Sequence, residues 1–238
     1  MDLPLHPAAR VLARHPAGLI AVDKPPGVRS HPNSAKPDPR ALLLLPYNTK
    51  SETYDMDGDR SRIHLLHRLD SPTSGVVLLA TNAAVAAAAR EAFARHAVHK
   101  TYHALVRGRP ARPAETWRNR LRVRRGHGNV RADTGSGDPA ETRMECLGTL
   151  PGPPVLSLLR LRPVTGRTHQ IRVQCAARRF PIVGDATYGD FRFNRDYARQ
   201  SGEKRLYLHA SAIRIDGDGK QLPAFSVESP LPSAFPVF

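Results

Sequence analysis

The sequence HRLDSPTSG, from His67 to Gly75, places an arginine and a carboxylate two positions apart, directly before a polar turn. If this segment is extended, Arg68 and Asp70 lie on one face, because side chains alternate along a strand. A neighbouring cation favours the ionised carboxylate, which is the form that a nucleophile or a base needs. Asp70 is therefore a candidate for chemistry. The structural alternative is that Asp70 caps the turn by accepting hydrogen bonds from backbone amides.

A second candidate group lies in the sequence GRTHQIR, where an arginine follows a glycine turn at the start of a predicted helix. Arg167 could hold a carboxylate ionised and oriented through two parallel hydrogen bonds, or it could be a surface arginine that contacts phosphate. His169 fits either a structural hydrogen bond or a catalytic role. Tyr102 begins an alternating strand, where it is either a core aromatic or a ring that stacks on a base and moves a proton.

The chain is strongly basic: its 238 residues contain 36 Lys and Arg against 21 Asp and Glu, a formal net charge of +15. This imbalance predicts a polyanionic partner, above all a nucleic acid, although an arginine-rich genome would also produce it. The segment from 107 to 131 is nearly all positive and is predicted to be a basic arm or ribbon. Solvated charge normally alternates in sign, so we expect this arm to contact phosphates through Arg122, Arg124 and Arg125.

The elements that must position these residues are predicted to be short strands and helices of one α+β domain. Strands are expected at Leu19–Val22, at VVLLAT, at KTYHALVRG and at RLYLHASAIRI. Helices are expected after an Asn82 cap, from near Thr168 with an apolar side that includes Ile171, and between Pro39 and Pro46. Residues 48–62 show no periodicity and are predicted to form a mobile surface loop.

Neither repeats nor linkers divide the sequence, so we expect a single domain over 1–238, with its core from about 18 to 215. No small RNA-binding domain is expected before it. Cys146 and Cys175 lie far apart without a CxxC partner, which argues against a disulfide framework or a structural zinc site. The sequence shows no signal peptide and nothing near the ~20 apolar residues of a membrane span. A cytoplasmic, monomeric protein without membrane contact is predicted.

Several stretches, read together, resemble the RluA-type family of RNA pseudouridine synthases. The sequence DKPPGVRSHP is similar to the family's first motif, HRLDSPTSGVVLLA to its catalytic-aspartate motif, KTYHALVRG to its tyrosine motif and VTGRTHQIRVQ to its arginine motif. The segments PIVGDATYG and LYLHASAI also match. The resemblance runs from Gly18 to about Ile215 in the family's order, which is far more specific than a single short motif.

This resemblance implies a central mixed, mostly antiparallel sheet in two continuous subdomains, with flanking helices and an active-site cleft. It also implies that uridine in RNA is isomerised without metal or cofactor, by breaking the N1–C1′ bond and re-forming it at C5. The roles implied are attack by Asp70, displacement of the base by Arg68, stacking on the uracil by Tyr102, pairing with Asp70 by Arg167 and an apolar wall at Ile171. His67, Thr73 and His169 complete our set of substrate-binding candidates.

The attack of Asp70 at C1′ or at C6, and its removal of a sugar proton, all remain open. The RNA is predicted to be rRNA rather than tRNA. Two other functions are alternatives. A metal-dependent ribonuclease would use Asp70, Asp185 and Asp190 as ligands, but the neighbouring arginines would repel a cation. A non-catalytic RNA-binding module would use the basic arm alone.

Overall fold

The computed structural model describes residues 3–32, 34–56, 61–126 and 129–236, without the side chains of residues 125, 126 and 129. The chain forms two compact units. Unit 1 consists of Met1–His99 and Ala210–Pro230, and unit 2 of Lys100–His209 and Leu231–Phe238. Each unit therefore combines two segments of the chain instead of being one half of the sequence.

The elements of the described residues are, in chain order, β1 (Arg10–Arg14), β2 (Leu19–Lys24), β3 (Tyr47–Asn48), β4 (Thr53–Met56), β5 (Ser61–Leu65), β6 (Ser74–Ala80), α1 (Ala83–Ala94), β7 (Val98–Arg107), β8 (Ala114–Gly126), β9 (Asn129–Thr134), β10 (Asp138–Leu150), β11 (Leu156–Pro163), α2 (Gln170–Ala177), α3 (Phe191–Ser201), β12 (Leu208–Ile215) and β13 (Phe225–Glu228). The chain passes from one unit to the other within β7 and within β12. This is the α+β architecture that the sequence predicts.

Unit 1 is organised around β6, all seven residues of which are buried. Strand β2 pairs with it antiparallel from Leu19 opposite Ala80 to Lys24 opposite Gly75, and β5 and β4 continue the antiparallel pattern. Helix α1 packs on this sheet, with Ala86 and Ala89 fully buried. The Asn82 side chain accepts from Ala84 N at 2.9 Å, as the predicted cap requires.

Unit 2 is an antiparallel sheet in the order β7-β11-β10-β8-β9. Its core includes the fully buried Trp117 and Leu159, and α2 contributes Ile171 and Cys175. Helix α2 begins at Gln170, close to its predicted start at Thr168. Most of the basic arm predicted at 107–131 forms the ribbon of β8 and β9, which we call the basic ribbon.

The helix predicted between Pro39 and Pro46 is wrong. Asp38 does accept a hydrogen bond from Arg40 N at 2.9 Å, but only a turn follows. Ala41 then bridges to Arg29 and Leu43 bridges to Leu5. A short helix would leave part of this apolar run exposed, whereas the extended path buries Ala41 and Leu43 completely.

The mobile loop predicted at 48–62 is also wrong, because its described residues contain strands β4 and β5. Tyr54 and Ile63 lie opposite each other and are both buried, while Arg62 faces Asp55 on the other side. Residues 57–60, inside the same stretch, lie outside the described residues. Helix α3 has no counterpart among the predicted elements. Within the described ranges, no helix is long and apolar enough to cross a membrane.

Candidate active site

Asp70 lies at a turn that leads into the central strand of unit 1. Strand β5 ends at Leu65, and the chain to Asp70 has no regular structure. Leu69 is 7% exposed, Arg68 is exposed and Asp70 is half-buried, so the predicted alternation holds at these positions. Thr73 N donates to the backbone carbonyl of Asp70 at 3.0 Å and closes the turn. The Thr73 side chain is buried, and its predicted role in substrate binding stays a prediction.

The loop after β2 holds the backbone on both sides of Asp70. On one side, the hydroxyl of Ser30 donates to Leu69 O at 2.9 Å and accepts from Leu69 N at 3.0 Å. On the other side, Gly27 N donates to Ser71 O and the Ser71 hydroxyl donates to Gly27 O, both at 2.8 Å. The two neighbours of Asp70 are therefore fixed to one loop, which limits where its carboxylate can point.

Lys24 adds a buried cation beneath this turn. It is fully buried, and its Nζ donates to the carbonyls of Val28 at 2.7 Å, Pro25 at 3.0 Å and Ser71 at 3.0 Å. Burial lowers the pKa of Lys24 to about 7, while the negative charges of Asp70 and Asp23 oppose that shift. Asp70 thus has a second cationic neighbour in addition to Arg68.

His67 belongs to the scaffold behind the turn. Its Nε2 accepts a hydrogen bond from Leu78 N at 3.0 Å, and its ring packs on Phe93 with 5.1 Å between centroids. An accepting Nε2 carries no proton, so the proton of the neutral ring is on Nδ1. These contacts hold the His67 ring against β6 and α1, and its predicted role in substrate binding stays a prediction.

In unit 2, Tyr102 lies on β7 opposite Leu161. Its ring is half-buried and packs against the core cluster that contains Ile171, which is 7% exposed. The same apolar cluster therefore supports Tyr102 and includes the residue predicted to form an apolar wall.

The turn that carries Arg167 is built around the buried amide of Gln170. The Gln170 Oε1 accepts from Arg167 N at 3.0 Å and from the Thr165 hydroxyl at 2.7 Å. Its Nε2 donates to Glu141 O at 3.0 Å and to Thr142 Oγ1 at 2.9 Å. The backbone of Arg167 is thereby tied to β10. Its guanidinium lies near Pro139 O and Asp138, at 3.3 and 3.6 Å.

His169 is joined to the basic ribbon through Tyr188. It caps α2 in a left-handed conformation, with φ 56°. Its Nδ1 is 2.8 Å from the Tyr188 hydroxyl, which also accepts from Ala132 N of β9 at 2.7 Å. Arg172 stacks 5.2 Å from the centre of the Tyr188 ring. These contacts tie His169 to β9 through Tyr188, and its predicted role in substrate binding stays a prediction.

Four arginines at alternating positions of β8 share one face of the ribbon: Arg118, Arg120, Arg122 and Arg124. Arg118 pairs with Glu141 at 2.9 Å and Arg124 pairs with Asp133 at 2.8 Å. Over the described part of the chain, neither Arg120 nor Arg122 has an acceptor for its guanidinium, and both are exposed. The side chain of Arg125 lies outside the described residues. Arg122 and Arg167 line the same cavity, of about 430 Å³.

Two of the three carboxylates required by the ribonuclease alternative, Asp185 and Asp190, are paired with arginines. Asp185, 1% exposed, binds Arg172 through two contacts of 2.8 Å and accepts from the amides of Thr187 and Tyr188. Burial acts to raise the pKa of Asp185, but these hydrogen bonds outweigh it and hold the pKa below its usual value. Asp190 pairs with Arg107. The described residues contain no cluster of three or more His, Cys, Asp or Glu able to hold a metal ion.

Comparisons with known proteins decide the family. The sequence profile of the family described as RNA pseudouridylate synthase matches residues 18–177. A tRNA pseudouridine synthase C of Vibrio cholerae is 33% identical over 83% of this chain and 81% of its own. A ribosomal large subunit pseudouridine synthase D of Borreliella burgdorferi is 31% identical over 90% of this chain and 63% of its own. The structure of human RNA pseudouridylate synthase domain containing 1 matches with a TM-score of 0.72 and 27% identity, over 97% of this chain and 86% of that one.

The protein belongs to the RluA-type family of RNA pseudouridine synthases. This confirms the resemblance and the fold class predicted from the sequence. The protein is an isomerase that acts on uridine in RNA.

Sequence analysis missed the residues that hold this site in place, chiefly Lys24, Ser30, Gln170 and Tyr188. One signal was present: Lys24 directly follows an apolar strand and precedes two prolines and a glycine. A lysine at such a position is either exposed or paired inside the protein. Ser30 and Tyr188 bind residues that are distant in sequence, and so does the Nε2 of Gln170, so no local pattern shows these contacts.

Replacing Ser30 tests whether its hydroxyl fixes the backbone of the turn that carries Asp70. The variant Ser30→Ala leaves the amide and the carbonyl of Leu69 without their partner in a buried site. We expect a loss of about 1–3 kcal/mol in the free energy of unfolding, together with a larger fall in kcat than in RNA affinity. Urea denaturation and turnover measurements give the two values. The exposed Ser34→Ala is the control, and a Ser30→Ala enzyme with unchanged stability and kcat would refute the assignment.

Lys24 should make stability depend on pH. Between about pH 7 and 10.5, the unfolded chain still holds the proton that folded Lys24 has released. The unfolded state then binds more protons, so the free energy of unfolding contributed by this group rises with pH, by up to about 1.4 kcal/mol per pH unit. Urea denaturation at pH 7 and pH 9 should show this slope in the wild type and in Lys50→Met, but not in Lys24→Met. If the free energy of unfolding depended on pH equally in all three proteins, the lowered pKa of Lys24 would be contradicted.

Proposed function

We propose that the protein converts uridine to pseudouridine in structured RNA by flipping the target base out of its stack and attacking the nucleotide with Asp70. Flipping costs a few kcal/mol, which stacking and phosphate contacts recover. The observation that carries the proposal is the fixed backbone on both sides of Asp70, beside the exposed guanidinium of Arg68. Attack at C1′, attack at C6 and removal of a sugar proton all require this carboxylate in its ionised form.

The remaining roles follow the chemistry of the substrate. Arg68, which donates to no acceptor within the described residues, displaces the base from its stack. Tyr102 stacks on the uracil and, directly or through water, accepts the proton that C5 loses once the new bond to C1′ has formed. We assign to Arg167 the part of partner to the Asp70 carboxylate that the family motif implies, and to Ile171 an apolar wall through the cluster that supports Tyr102. No metal or cofactor takes part in this scheme.

The basic ribbon supplies most of the affinity for the RNA backbone. Its two arginines without carboxylate partners, Arg120 and Arg122, are the contacts that we assign to phosphates. Arg124, predicted from the sequence to have this role, is already paired with Asp133. Relatives named for tRNA and for the large ribosomal subunit both match the chain, so structured RNA is the class of substrate proposed.

Replacing Asp70 tests the chemical role. We expect Asp70→Ala to lower tritium release from RNA labelled at C5 of uridine by about 10³-fold or more, as when a nucleophile is lost. RNA affinity should remain close to that of the wild type, because phosphates supply it. The labelled substrates are tRNA and large-subunit rRNA transcripts, with Asp196→Asn as a control carboxylate on α3. Full activity of Asp70→Ala would end the assignment, and strand cleavage prevented by a chelator would favour the ribonuclease.

The ribbon is tested by removing the same charge from two pairs of arginines on one strand face. The double variant Arg120→Gln/Arg122→Gln should reduce the slope of log affinity against log salt by about 2, since each lost phosphate contact removes about 1. The matched double variant Arg118→Gln/Arg124→Gln should change the slope by less than about 1 because those arginines are paired. If the salt slope changed equally in the two double variants, the ion pairs of Arg118 and Arg124 would not determine which arginines contact the RNA.

A further inference from the structure

A lysine on the Tyr102 strand lies against the turn that carries Arg167. Lys100 is two residues before Tyr102 on β7, and alternate residues of a strand share a face. Its Nζ is 3.7 Å from the point that a Cβ on Gly166 would occupy. Apart from the chain neighbours of Gly166, the described structure has no other heavy atom within 4 Å of that point. The missing side chain of Gly166 therefore leaves one side of the ammonium open.

The charge of Lys100 has no partner among the described residues. Its side chain is half-buried, and no carbonyl, hydroxyl or carboxylate accepts a hydrogen bond from its Nζ. Burial lowers the pKa of Lys100, and no neighbouring acid opposes the shift. Lys24 differs in this respect, because three carbonyls accept from its ammonium. An ammonium that has lost water without gaining an acceptor costs stability, so a structural role does not account for Lys100.

We propose that Lys100 binds a phosphate of the RNA backbone next to the target uridine, in the open space beside Gly166. This inference rests on the proposed roles of Tyr102 and Arg167. A phosphodiester brings the negative charge that Lys100 lacks, and every RNA that places a uridine on Tyr102 brings one phosphate on each side of it. Gly166 and Arg167 also line the cavity that contains Arg122, so Lys100 extends a row of cations from the ribbon to Tyr102.

Lys100→Met separates a phosphate ligand from a structural lysine, because the two roles predict opposite changes in stability. For a phosphate ligand, the variant should melt at a higher temperature than the wild type, since an uncompensated charge is gone. It should also bind the tRNA and rRNA transcripts about three- to tenfold more weakly, with a salt slope smaller by about 1. Affinity is measured in the Asp70→Asn background, where the RNA is not converted. Lys100→Arg should retain the slope, and Lys204→Met, an exposed lysine of the same unit, should change neither property.

Two results would overturn the inference: an unchanged salt slope in Lys100→Met, or a lower melting temperature together with weaker binding, as a structural residue would give. Tritium release by the wild type is scored separately. If the wild type releases none, the proposed function fails, while the binding slope still decides the role of Lys100. If the wild type is active and the slope of Lys100→Met is unchanged, only the inference on Lys100 fails.

Discussion

The active-site turn of unit 1 depends on one buried ammonium. The pairing of β2 with β6 sets Lys24 opposite Gly75, which follows the Asp70 turn in the chain. From that position Lys24 reaches Ser71 O and two carbonyls of its own loop. Gly75 is required there because its φ is +114° and a Cβ would approach Ala210 O to 2.2 Å. Sheet register, a glycine and a buried cation together define the path of the chain on which Asp70 lies.

The cationic side chains of this protein differ in whether the protein itself supplies an acceptor for them, and the net charge of +15 does not show this difference. Arg172 and Lys24 are inside the protein and have their acceptors, so they fix backbone and loops. Arg68, Arg120, Arg122 and Lys100 have no acceptor within the described residues. Within the described residues these four charges form no ion pair or hydrogen bond, and they are the charges that we propose to face the RNA. The net charge alone does not tell these proposed RNA contacts from the cations that hold the fold.

The sequence predicted best where local chemistry decides the structure. The Asn82 cap and its alanine-rich helix, and the start of α2, depend on neighbours within a few residues. The predictions at 38–46 and 48–62 were wrong because distant partners decide those segments: Leu5 and Arg29 bridge to the first, and the Tyr54–Ile63 pair buries part of the second. Helix α3 has no predicted counterpart although Asp190 accepts from Phe193 N at its start. Its apolar side is short, with Phe193 and Tyr197 packed against the core of unit 2, and the rest of the helix is mostly polar.

In the candidate site, too, the residue type can be read from the sequence, whereas the surroundings of each residue depend on distant parts of the chain. Asp70 follows Arg68 by two residues in the sequence, Asp185 pairs with Arg172 in the structure, and the ribonuclease alternative uses both aspartates as metal ligands. The two Asp185 oxygens accept four hydrogen bonds in a buried site, so attack by this carboxylate or metal binding to it would have to break its pairing with Arg172. At Asp70, the backbone carbonyl closes the turn, and the residue remains partly exposed beside an arginine without an acceptor. Because a nucleophile must reach its substrate with an oxygen lone pair, this difference in environment supports Asp70 over Asp185 as the proposed nucleophile.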